Sequence, residues 1–119
     1  MKTLTLLEAK LLPVGFEYPS QFKRTLELGL IDFEPWYFVD GSVLQKLAVG
    51  LSQRYSGRKL VPFARRQDND DVACWDADHM PNVYVIHDFA SPGYEERYVY
   101  ASFYDWLKVV VDDYIEFDT

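Results

Sequence analysis

The chain has 119 residues, 49% hydrophobic and 26% charged, with a formal net charge of −7. That length fits one domain with a sizeable core, and the composition is that of a folded globule rather than a disordered chain. No run of eighteen apolar residues exists, Glu8 interrupts the start before any long apolar stretch, and Cys74 stands alone; a membrane span, a secretory signal and an intramolecular disulfide are therefore not expected, and a cytoplasmic protein is.

The first half of the chain reads as helical. After Tyr18-Pro19-Ser20, the residues Phe22, Leu26 and Leu30 fall near one face, and Gly29 supplies a stop, so a helix is expected near 19–29. Pro35-Trp36-Tyr37-Phe38-Val39 is a short apolar run of no assigned type. Ser42 followed by Gln45 matches a capping box, and Leu44, Leu47, Ala48 and Leu51 recur at helical spacing, which predicts a second helix near 42–55.

The second half reads as an antiparallel meander followed by a helix. Strands are expected near 60–64, 72–76, 83–88 and 97–101, with a polar loop from Arg65 to Asp71. Pro62 cannot donate a ladder hydrogen bond, so the first strand should begin late or lie at an edge. Val72-Ala73-Cys74-Trp75 is apolar on both alternating faces, as in a central strand. Ser91-Pro92-Gly93 suits a β-turn. Ser102 and Asp105 repeat the capping spacing, and Phe103, Trp106, Leu107, Val110 and Tyr114 form one stripe, which predicts a helix near 103–115 with Lys108 on its wet side. Sheet and amphipathic helices together make an α+β domain.

Charge is uneven. Residues 1–59 hold eight Lys/Arg against six Asp/Glu, whereas residues 60–119 hold four against thirteen, a local net of −9. An acidic surface without a basic stripe repels phosphate backbones, so nucleic acid is not an expected partner. It favours a basic protein during encounter, though acidic residues also simply keep a protein soluble.

Chemistry-bearing motifs are sparse. There is no glycine-rich phosphate loop, nucleophile elbow or paired-cysteine signature, and no cofactor is expected. Asp76, Asp78, His79 and His87 offer donors that suit zinc or iron, provided a turn at Pro81 brings the two histidines together. The plainer reading is a turn histidine and a strand histidine. Asp68-Asn69-Asp70-Asp71 invites calcium, but Ala73 stands where the loop needs Gly and His79 where it needs Glu. Cys74, in an apolar strand, reads as a small hydrophobe. Aromatics reach 17%. Phe63, Trp75, Tyr84, Phe103 and Trp106 are expected in the core, while Trp36, Tyr37, Tyr55 and Tyr94 sit beside loops. Tyr and Trp dominate binding hot spots. The candidate partner-binding residues are thus Asp68, Asp70, Asp71, Asp76, Asp78, Trp36, Tyr37 and Tyr94.

The progression Leu60-Val61-Pro62-Phe63-Ala64, a polar loop, Asp71-Val72-Ala73-Cys74-Trp75-Asp76, Val83-Tyr84-Val85 and Phe103-Tyr104-Asp105-Trp106-Leu107 resembles the SUKH superfamily, the Smi/Knr-like domain. It departs from the family pattern at Arg65 to Asp71, usually glycine-rich, and at Gly29-Leu30, usually Asn-Gly. The resemblance implies an α+β fold without shared catalytic residues. For small bacterial single-domain members it implies an immunity protein that neutralises a cognate toxin, frequently a nuclease, by stoichiometric binding. Three expectations follow from different classes: a binding protein that occludes a basic toxin, a regulatory or scaffold adaptor with another protein partner, and a small metal-dependent enzyme built on the Asp/His cluster.

Overall fold

A computed structural model describes residues 4–118. The elements run α1 (Ser20–Glu27), β1 (Asp32–Phe33), β2 (Trp36–Phe38), α2 (Gly41–Arg54), β3 (Leu60–Arg66), β4 (Asp71–Asp76), β5 (Val83–His87), β6 (Glu96–Tyr100) and α3 (Phe103–Asp118), with a short 3₁₀ turn at Ala9–Leu11. All six strands form one antiparallel sheet in chain order, β1 to β6. This is the expected α+β class. The four expected strands are present; the unassigned apolar run supplies β2, and the two residues Asp32–Phe33 before it supply β1, at the β3 side of the sheet.

Local chemistry sets most boundaries. Gly29, at φ 74°, closes α1: its N–H donates to Leu26 O, and the next N–H, of Leu30, donates to Thr25 O. That double bond is the Schellman arrangement, which needs a left-handed residue at this position. Leu30 lies beyond the helix and is exposed. The Ser102–Asp105 cap holds as expected, with Asp105 N–H donating to Ser102 Oγ and the hydroxyl donating back to the carboxylate. The expected Ser42 cap does not form. The chain enters α2 through Gly41 at φ 59°, so Asp40 takes the capping position, and its carboxylate accepts from Thr5 N–H instead of from the helix.

Pro62 needs a correction too. β3 begins at Leu60, before the proline, and is an interior strand. It tolerates Pro62 because β2 pairs only with residues 64–66, and because the register with β4 shifts between Pro62 and Ala64. Ser91 to Tyr94 forms the expected turn, with Tyr94 N–H on Ser91 O at 2.9 Å and Gly93 at φ 96°.

β4 is buried at every position, so both faces of the sheet are covered. On one face Trp75 stacks on Phe63 at 4.3 Å between ring centroids and meets Phe22 of α1 at 5.0 Å, while Trp106 of α3 meets Phe63 at 4.9 Å. The opposite face carries Cys74 and its register partner Tyr84. Here the end of α2 reaches across: Arg58, just after the helix, lies over the Tyr84 ring, and Arg54 pairs with Asp88. The five aromatic residues expected in the core are all buried. Tyr55 joins them, donating its hydroxyl to Ala90 O. No helix among the described residues is long and apolar enough to cross a membrane.

Candidate protein-binding surface

The meander brings three connections to one end of the sheet: the β1–β2 turn, the β3–β4 turn at residues 67–70 and the β5–β6 loop at residues 88–95. Backbone bonds tie them together. Gln67 N–H donates to Pro35 O, and Asp88 N–H donates to Asp70 O, both at 2.9 Å. Six of the eight sequence-predicted residues gather here: Trp36, Tyr37, Asp68, Asp70, Asp71 and Tyr94. Asp76 and Asp78 do not. They lie at the far end of β4 and in the turn after it, where Asp76 is buried and Asp78 pairs with Lys59 at 3.2 Å.

Three of the gathered residues are not the exposed groups the sequence suggested. Asp71 opens β4 and is only 5% exposed; its carboxylate accepts from Arg97 Nε at 2.9 Å and lies 3.3 Å from His87 Nδ1. Trp36 is buried, its indole N–H donating to Asp113 of α3. Tyr37 is half-buried. The reason in each case is the sheet: Trp36 and Tyr37, in a run of no assigned type, and Asp71, assigned to a loop, are strand residues, with Trp36 bonded to α3 and Asp71 to Arg97 of β6. Nor do the acids of this turn simply repel one another. Arg66 grips Asp68 with two bonds of 2.8 and 2.9 Å and holds its carboxyl below the usual carboxylate range. Of the acids at 68–71, Asp70 is the exposed one with no ion pair among the described residues.

The β5–β6 loop displays two large rings, Phe89 at 67% and Tyr94 at 82% exposure. Phe89 was not among the sequence candidates. Its position in a turn-rich stretch, Asp88-Phe89-Ala90-Ser91-Pro92-Gly93, is the signal that could have found it, because an aromatic in a turn has no strand partner to cover it. Phe89 sits at φ 66°, a left-handed conformation costly for a bulky residue. Its surroundings hold it there. Asp88 Oδ1 accepts from Phe89 N–H at 2.8 Å, Arg54 binds both oxygens of Asp88, and the same guanidinium lies 4.3 Å over the Phe89 ring. On the other flank Glu95 accepts from Gly93 N–H and from Arg58, at 2.7 and 2.8 Å. Arg54 at the end of α2 and Arg58 just beyond it thus brace the loop through two buried acids.

The Asp76, Asp78, His79 and His87 ligand set does not come together. His79 lies beside Asp76 and His87 beside Asp71, at opposite ends of β4, so the turn at Pro81 does not bring the histidines together. Among the described residues no group of three or more His, Cys, Asp or Glu could hold a metal ion. Burial pushes the Cys74 thiol up to about 12, against the lowering influence of Arg58, so it is a neutral thiol at physiological pH.

Fold and site together define a small α+β domain with a braced, aromatic-bearing loop beside an acidic turn. Comparison with protein-family models, curated proteins and solved structures finds no match.

Proposed function

We propose that this chain is a SUKH-like immunity protein: a non-catalytic, cytoplasmic binding domain that neutralises a basic toxin, a nuclease being the expected kind, by stoichiometric contact. The observation that carries the reading is the pairing of Phe89 and Tyr94 on a braced loop with the acidic 67–70 turn bonded to its base. Exposed rings on a rigid support suit hot spots, because little ordering entropy is lost when they are buried. The neighbouring acid supplies the attraction that speeds encounter with a cationic partner.

The test is protection. The genome around this reading frame is searched for a toxin-like frame, any product found is expressed with and without the chain, and growth is measured. Wild-type chain should restore growth. Phe89→Ser combined with Tyr94→Ala should weaken binding about 100-fold, since each ring is worth roughly 1–2 kcal/mol at a hot spot, while the far-ultraviolet spectrum stays native. Failure of the wild type to protect, or full protection by the double variant, would overturn the assignment.

A further inference from the structure

Beneath α3, on the face that holds the aromatic core, lies a cavity of about 260 Å³. Val85, Trp106 and Val110 form its floor and are buried, whereas Tyr98 and Val109, 56% and 36% exposed, form its rim. Trp36, Tyr98 and Tyr100 supply aromatic walls, and Asp71 and Asp113 bring carboxylates to the same space. The volume is below the roughly 300–1,000 Å³ usual for small-molecule sites. It has room for one side chain.

The polar groups point to the charge of the occupant. Arg66 Cζ lies 5.8 Å over the Trp36 ring and its Nη1 is 3.6 Å from Asp113, so this wall already supports a guanidinium. Arg66 is also committed to Asp68, and Asp71 is met by Arg97 from the edge strand. Three carboxylates, Asp68, Asp71 and Asp113, therefore share two guanidinium groups. The two permanent cations leave these three carboxylates one negative charge in excess, with the His87 imidazole 3.3 Å from Asp71 as a further polar neighbour, in a cage of π faces that favours a cation. Tyr100 responds to the same environment: burial, then the nearby Asp113, raises its hydroxyl above the ordinary range.

We propose that this cavity receives an arginine side chain of the basic partner, its guanidinium held between Asp71 and Asp113 against Tyr98 and Trp36. The inference rests on the protein-binding reading and adds the chemistry of the anchor. Arginine fits better than lysine because its planar group stacks on rings and bonds two acceptors at once.

The probe is N-acetyl-arginine-N-methylamide, titrated into isotope-labelled protein while the indole N–H signals are followed. The Trp36 signal, whose proton bonds Asp113, should shift and saturate at a concentration on the order of 1–10 mM, as suits a ligand this small. The Trp75 signal should stay put. The neutral citrulline analogue should produce no saturable shift. Asp113→Asn and, separately, Tyr98→Ala should each weaken the effect about fivefold or more; Tyr98 is exposed, so its loss leaves the fold intact. Equal shifts from citrulline, no saturation with arginine, or an effect unchanged in both variants would overturn the proposal. Protection from the toxin without an arginine response would refute the anchor alone. An arginine response in a chain that fails to protect would refute the immunity reading alone.

Discussion

Trp106→Ala is expected to destabilise the protein by about 3–5 kcal/mol, the usual cost of emptying a large aromatic site in a core. Trp106 is 1% exposed and ties α3 to the sheet through Phe63 and to β2 through Trp36, at 4.9 and 5.5 Å between ring centroids. Its removal leaves a hole that rigid neighbours on β2 and β3 cannot close. Lys108 is exposed on the opposite side of the same helix, and Lys108→Ala should change stability by no more than about 0.5 kcal/mol. Urea unfolding of the two variants decides the matter. Equal losses would mean that α3 is held by something other than its aromatic stripe.

Arg58→Ala should cost about 3 kcal/mol near pH 7, because it strands two buried carboxylates, Asp76 and Glu95, 3% and 7% exposed. The loss should depend on pH in a defined direction. Burial works to raise the Glu95 carboxyl, but its own backbone N–H, Arg58 and Gly93 N–H together hold it below the ordinary value. A carboxyl depressed in the folded state adds stability above its unfolded pKa, about 4.3, and that stability is lost as pH falls through the folded value. Without Arg58 the depression weakens and burial pushes the carboxyl up. Protonation then relieves the variant while it harms the wild type. The gap between them should be widest near pH 7 and narrow between about pH 5 and pH 3. A gap independent of pH would assign the loss to packing over Tyr84, 5.0 Å from the Arg58 guanidinium.

How much of this was legible beforehand depended on whether the signal was local. The α3 cap, the Gly29 stop and the Ser91–Tyr94 turn are written within a few residues, and each formed as read. Continuous apolar character marked β4 as central, and it is buried throughout. β1 and β2 were not legible, because two and three residues carry no period; they are strands only by pairing with one another and, for β2, with Arg65 and Arg66 thirty residues away. The same distance effect misplaced the acids. Asp71 reads as part of a polar run, and only the register opposite His87 shows that it is a buried strand residue paired with half-exposed His87 and Arg97. Ser42 failed as a cap because Asp40 and Gly41, tied to Thr5, set the entry to α2 first. Tyr94 was found from its loop composition; the turn-rich stretch 88–93 could have marked Phe89 as exposed, but its left-handed backbone and the Arg54 brace are visible only in the fold.

Recognition of a basic partner through the loop end of the sheet is tested most directly by association kinetics of the purified complex. Asp68 and Asp70 are changed together to Asn, with Asp71 left alone because it is buried in its pair with Arg97. Association with the toxin should slow about fivefold to tenfold at low salt, and the difference should close as salt shortens the range of the field. Dissociation should change little, since these acids stand beside the aromatic contact rather than within it. Equal association rates for wild type and variant at low salt would contradict docking at this end.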